Sequence, residues 1–464
     1  MRSPLLRIFA AAAVFFAASC ADRPVQDAPL PYADIAERLR VLGLREEGAF
    51  ALLERLTSTI GPRLTGSPQA AAAVEFMRVE MDRLGLETWL EPVTVQHWVR
   101  GGPEAAKIAG GPGRVDVPLT ITALGWSVAT PEEGVQAPII ETSSFEDLKA
   151  RAADVRGRIV FFNKPMDRSS LDNFRSYGEA AQFRARGASE AARFGAVGVL
   201  VRSATQRLDD FPHTGMVQYV PDAPRIPAAA LSTSSAEILS AGLKSRPGLE
   251  VRFRQSCLNL PDAPSANVVG EIRGTDRPDE IVLLGGHLDS WDLGTGAHDD
   301  GAGCVQAVEA LRLIRSLGLR PKRSIRAVMF MNEEFGATGG REYARADRRS
   351  RERHLAAMES DRGGFLPLGF AIGGGPDKLR FLQRWEYLLK PAGIYWLGPG
   401  GGGSDIGPIV ERGAVPMAFI PDSRRYFDVH HSAHDVLASV HPRELELGAV
   451  VMAIMAYVVA QEGF

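Results

Sequence analysis

Residues 281–303 read IVLLGGHLDSWDLGTGAHDDGAG: an apolar run, two glycines, then His287, Asp289, Asp292, His298, Asp299 and Asp300 before another glycine. An apolar run without polar alternation marks a strand buried on both faces, as in a parallel sheet covered by helices. Ligand-type side chains follow at its carboxyl end, where open α/β sheets gather what they bind. This stretch therefore predicts both a fold class and the place of a site.

The pattern repeats downstream. VVGEIR, IVLLGGH, SIRAVMFMN, HLAAMESD and AVPMAFIP read as strands, with helices expected over about 301–317 and 339–346. Strands alternating with helices predict an α/β fold, a mostly parallel sheet covered by helices on both faces, with residues 259–464 forming its main part. His287 then ends one strand, Glu333 and Glu334 end the next and Asp361 a third, while HHSAHD at 430–435 follows the last. Each has a plain structural reading. A strand-end histidine is usually structural, Asp-Asp-Gly before a helix is an N-cap and turn, Glu-Glu is a solvated loop start, and HHSAHD is a polar turn. Their joint occurrence at successive strand ends of one sheet selects a metal centre instead. Two divalent ions about 3.5 Å apart need a bridging carboxylate with a histidine and a carboxylate on each side. One glutamate remains, placed to act as a general base.

Upstream, apolar residues recur at helical spacing from Tyr32 to about Glu87, interrupted by IGPRLTGSP, and 88–99 alternates as a strand. A Gly/Pro-rich stretch at 101–113 marks a boundary, so 32–112 is read as the first part of the peptide-chain core and 113–258 as a second domain inserted into it. The insert shows short strands, RIVFFNK and GAVGVLVRS, and no cluster of ligand-type residues.

The chain has 464 residues, a formal net charge of -3, 45% hydrophobic and 23% charged residues. That composition fits a globular two-domain protein and offers no general basic field for nucleic acid. Residues 1–20, MRSPLLRIFAAAAVFFAASC, carry two arginines, an apolar run too short to span a bilayer and small residues before Cys20, the pattern of an export signal. Ala17-Ala18-Ser19-Cys20 resembles a lipoprotein signal, which would make Cys20 a lipid anchor to the bacterial cell envelope; the alternative is cleavage after Ala21. Cys257 and Cys304 remain, so at most one disulfide is available. No second stretch is read as long enough to span a membrane.

The motifs HLDSWDLGTGAHDDGAG, MNEEFGATGG, MESDRGG and HHSAHD together resemble the co-catalytic zinc exopeptidases, the family of bacterial aminopeptidases and glutamate carboxypeptidases, and most of all its plasma glutamate carboxypeptidase branch. The stretch AARFGAVGVLV is similar to the protease-associated domain inserted in several of them. This resemblance implies two zinc ions per chain: His287 and Asp361 on one, Glu334 and His431 on the other, Asp299 bridging, with a cis peptide following Asp299. It further implies Glu333 as general base and Asp289 as the partner that orients His287. His430 is a candidate oxyanion donor, Ser404 and Asp405 candidate contacts for a substrate terminus, and His298 a structural residue. The expected substrate is a small peptide, above all a dipeptide with free termini, and a homodimer is suggested. Aminopeptidase action on longer peptides is the near alternative. A non-catalytic binding protein and a single-zinc glutaminyl cyclase on the same fold are the more distant ones.

Overall fold

The computed structural model describes residues 30–111 and 115–464; the export signal and Cys20 lie outside the described residues. Its main sheet has eight strands. Four of them, Arg323–Phe330, Arg277–His287, Arg353–Glu359 and Val415–Pro421, lie side by side and parallel. Antiparallel neighbours extend both sides: Leu258–Ile272 and then Glu87–Val99 on one, Pro367–Ile372 on the other, with Trp396–Pro399 parallel to it at the edge. The solid apolar runs have the expected physical cause. Val282 and Leu284 face one core with the helices Ala302–Ser316 and Pro442–Glu462, while Leu283 faces another with Tyr343 and Ile406. Both faces of the Ile281–Leu284 run are buried, so no position in it alternates to polar.

The helix Pro442–Glu462 has 21 residues and is apolar enough to cross a membrane by length and composition, yet it is packed into the core. Its apolar character all round, which the sequence reading passed over, is that of a buried central helix.

A second eight-stranded sheet occupies residues 105–254, between Glu87–Val99 and Leu258–Ile272, two strands that pair with each other along the main sheet. Its boundary differs from the expected one. Ala105–Ile108 pairs with Val117–Leu119 and Glu250–Arg254, so the chain leaves the main sheet at Gly101-Gly102-Pro103, and the later glycines belong to a connection inside the second unit. The helix Asn173–Ala192 of this unit leans over the carboxyl ends of the parallel strands, where Phe174 and Tyr177 stack on Tyr426 and Phe427.

Candidate metal centre

The strand Arg277–His287 ends with Gly285 and Gly286 because the next turn passes directly behind it. A Cβ on Gly286 would fall 2.4 Å from Asp300 Oδ2 and 2.8 Å from the Cys304 amide nitrogen. Asp300 accepts N–H groups from His287 at 3.0 Å and Gly303 at 2.9 Å, tying the strand end to the first turn of the helix Ala302–Ser316. The capping reading of the second aspartate is therefore the right one for Asp300. The Asp299–Asp300 peptide is cis. Asp435 fixes the backbone ahead of it, accepting from the amides of His298 at 2.6 Å and Asp299 at 3.1 Å.

Asp299 then projects into the centre. Its Oδ1 lies 3.2 Å from His287 Nε2 and its Oδ2 lies 3.2 Å from His431 Nε2. His287 Nε2 is also 3.7 Å from Asp361 Oδ1, and His431 Nε2 is 3.1 Å from Glu334 Oε2. Five side chains, from three strand ends, the segment ahead of the helix Ala302–Ser316 and the 430–431 turn, thus form two His-carboxylate pairs sharing one carboxylate. Donor atoms of His287, Asp299 and Asp361 lie within 4.8 Å of one another, as do those of Asp299, His430 and His431. Asp299 Oδ2 and Glu334 Oε1 are buried with no hydrogen-bond donor aimed at them.

The local electrostatics follow from packing charges in a buried place. Burial pushes Glu334 up to about 7, against the pull of His431, and raises Asp361 to about 6, against His287. For the two histidines burial acts downward, but the carboxylates outweigh it: Asp299 and Asp361 hold His287, and Glu334 and Asp299 hold His431, well above the ordinary imidazole range. His430 has one carboxylate in reach, Asp299 Oδ2 at 3.5 Å from its Nε2, and this does not offset the opposing effects. Burial and its neighbour His431 keep it well below that range, and its ring stacks on His431 at 3.5 Å between centroids.

Asp289 has a different part from the expected one. His287 Nδ1 faces the Asp289 backbone carbonyl at 2.9 Å, while the Asp289 carboxylate is 3.8 Å away. That carboxylate instead gathers the amides of Asn332, Glu333 and Glu334 at 2.7, 3.1 and 3.3 Å, holding the turn that presents both glutamates. A carboxylate at the start of a turn with three free N–H groups is the stronger acceptor site. His298 points away from the centre, its ring nitrogens facing the Ser439 carbonyl and the Gly364 amide at 3.1 Å each, with Phe365 stacked on it. Asp405 is buried and lines neither cavity at the centre, whereas Ser404 lines the neighbouring one.

The cavity over the centre measures about 330 Å³ and is lined by Asp299, Glu333, Glu334, Asp361, His430 and His431 from the main sheet, and by Phe174, Tyr177, Arg184 and Met216 from the second unit. Three participants escaped the sequence reading. Arg184 comes from a helix that looks like an ordinary charged surface helix, yet its Nη1 is 3.4 Å from His431 Nδ1 and its Nε is buried without an acceptor. Trp291, inside the opening stretch, donates its indole N–H to Glu334 Oε2 at 2.5 Å. Asp435 closes HHSAHD, where its position four residues after His431 was the available signal.

Residues 267–456 match the model of peptidase family M28. The chain is 36% identical to carboxypeptidase Q from Bos taurus over 92% of its own length and 89% of the relative's. Among solved structures, it is similar to a peptidase M28 precursor from Shewanella amazonensis, with TM-score 0.88 and 34% identity, covering 93% of this chain and 97% of that one. A zinc aminopeptidase from Bacillus subtilis shares the fold at TM-score 0.65 and 19% identity, covering 90% and 96% of the two chains.

Proposed function

The chain belongs to peptidase family M28 and is a metallopeptidase, and on that premise we propose that it is an exported exopeptidase holding two zinc ions and hydrolysing dipeptides with free termini. The observation that carries the reading is Asp299, whose two oxygens face His287 and His431 at the same distance of 3.2 Å. His287 and Asp361 would hold one ion, Glu334 and His431 the other, and Asp299 both. The donors fit the group. Buried carboxylate oxygens without a hydrogen-bond donor are costly for a protein alone, and Asp299 Oδ2 and Glu334 Oε1 are such oxygens. Nitrogen and oxygen ligands of this kind suit zinc. Bound there, the ions would polarise the scissile carbonyl and lower the pKa of water.

The chain's own residues supply the rest. Glu333 lines the cavity beside the donor set, and its backbone is fixed by Asp289. It takes the proton of the attacking water and hands it to the departing amine. His430 stands on the same wall as a donor to the carbonyl oxygen as charge develops there. Arg184 supports a free C-terminus, since an unsatisfied buried guanidinium N–H beside His431 matches a substrate carboxylate.

The test is zinc content by elemental analysis together with amino-acid release from free, N-blocked and C-blocked dipeptides. Two zincs per chain and cleavage of the free-ended dipeptides alone is the expected result. Cleavage of C-blocked peptides would move the reading to aminopeptidase, and one zinc would remove the two-metal mechanism. Anchoring through Cys20 belongs to the same reading, and loss of membrane attachment in Cys20→Ser tests it. Light scattering tests the homodimer.

A further inference from the structure

We propose that Arg362 makes this site select dipeptides whose N-terminal residue carries an acidic side chain. The inference rests on the dipeptidase reading above and goes beyond it by naming the substrate class.

A second cavity of about 370 Å³ adjoins the one over the metal centre, and Phe174 and Asp361 line both. The run Gly401–Gly403 forms part of its wall, with Ser404 at its end; a Cβ on Gly402 would meet nothing within 4 Å, whereas one on Gly403 would fall 2.3 Å from the Glu359 carboxyl carbon. Two charge-bearing groups besides Asp361 line it: Glu359 and Arg362. The carboxylate of Glu359 is already engaged. It accepts the amides of Ser404, Asp405 and Ile406 at 2.9, 3.1 and 2.9 Å. With its oxygens committed to these three amides, it is an anchor for the glycine loop.

Arg362 is different. Its guanidinium lies over the Phe174 ring at 4.4 Å from the centroid, and no carboxylate pairs with it among the described residues. A guanidinium stacked by its face keeps its N–H edge directed outward, the geometry that takes a carboxylate in two parallel hydrogen bonds. An unpaired, pre-stacked cation in a half-buried polar cavity has no structural partner and is complete only with an anion.

The position in the substrate follows from the order of groups along the centre. Arg184 sits beside His431 and Arg362 immediately follows Asp361, and these two donors lie on opposite sides of the shared Asp299. A dipeptide with its C-terminal carboxylate at Arg184 directs its N-terminal residue towards Asp361 and the second cavity. Arg362 therefore meets the side chain of that residue.

The measurement is kcat/KM for glutamyl-alanine, glutaminyl-alanine and lysyl-alanine in the zinc-loaded wild type, Arg362→Gln and Arg362→Glu. The wild type is expected to favour glutamyl- over glutaminyl-alanine by about tenfold to a hundredfold, the range of a charge-assisted pair replacing a neutral one. Arg362→Gln should bring that ratio near one, and Arg362→Glu should turn the preference to lysyl-alanine. Because each ratio is taken within one protein, a general loss of turnover in a variant does not obscure it. Equal rates on the three peptides in the wild type, or an unchanged ratio in Arg362→Gln, overturns the role of Arg362 and leaves the dipeptidase reading standing. Cleavage of none of them removes that reading and this inference with it.

Discussion

Trp291→Phe should weaken metal retention at one half of the centre and spare the other. The indole N–H donates to Glu334 Oε2 at 2.5 Å, leaving Oε1 of the same carboxylate buried and without a donor. The ring is held from several directions. Phe335 and His431 lie 5.2 and 5.5 Å away between centroids, and Gly125 of the second unit packs so tightly that a Cβ there would fall 2.0 Å from the indole. Phenylalanine keeps the apolar contacts but removes the donor. A hydrogen bond to a charged group contributes about 1.5–3 kcal/mol, which converts to roughly a 10- to 100-fold loss of affinity where the carboxylate must be held in place to bind. The assay is a zinc titration of the stripped protein in competition with a chromophoric chelator. One ion should bind more weakly by that factor, while the ion held by His287 and Asp361 stays near wild-type affinity. Gly125→Ala reaches the same carboxylate from the second unit by displacing the indole, with no polar group changed. If both variants bind the proposed pair of ions with wild-type affinity, Trp291 does not orient Glu334 and the reasoning fails.

Glu333→Gln removes the proton carrier and no proposed ligand, so kcat should fall by about 100- to 10,000-fold with zinc content by elemental analysis unchanged; near-normal turnover would refute the role. Arg63, fully buried, donates to the carbonyls of Leu288, Thr295 and Gly296 at 2.7, 2.7 and 2.9 Å. Arg63→Met orphans these carbonyls and should lower the unfolding free energy in urea by about 3 kcal/mol or more, and little change would show that water replaces the guanidinium. Glu446 is raised from 4.5 to about 9 by burial and by Glu309. Folding thus favours its neutral form, so its contribution is complete below about pH 4.5 and is lost as the pH rises towards about 9. Glu446→Gln should flatten the fall of stability between pH 6 and 8 by up to about 1.4 kcal/mol per pH unit; unchanged slopes in denaturant titrations would count against it.

The parallel centre of the sheet was legible because burial on both faces writes itself into the chain as unbroken apolar runs, as in IVLLGG and AVMFM. Pro367–Ile372 and Trp396–Pro399 were not. They are short, include glycine and proline, and are strands through tertiary pairing, Pro367–Ile372 on Val415–Pro421 and Trp396–Pro399 on Pro367–Ile372. The true edge of the second unit was hidden for a related reason. Glycines at 101–102 and 110–113 give the same local signal, and only the pairing of Ala105–Ile108 with Glu250–Arg254 tells a domain exit from an internal connection.

The donor set was legible on the same physical ground. Parallel strands turn sequence order into spatial convergence, so His, Glu-Glu and Asp at three successive carboxyl ends must share one rim. What holds them there is carried by contacts between distant parts of the chain. His431 has φ 60°, a conformation unfavourable for a residue with a Cβ, and the second unit braces it: the Thr214 amide donates to the His431 carbonyl at 2.9 Å, and Thr214 O and Arg184 Nη1 face His431 Nδ1 at 3.2 and 3.4 Å. His213 Nδ1 meets the carbonyl of His430 at 2.6 Å in the same way. No local pattern in RARG or PHTG announces such a task. A proposed ligand held in an unfavourable backbone state by a separate unit implies that this unit sets the geometry of His431 as well as roofing the cavity, so removing it should disturb the His431 half of the centre before it disturbs the sheet.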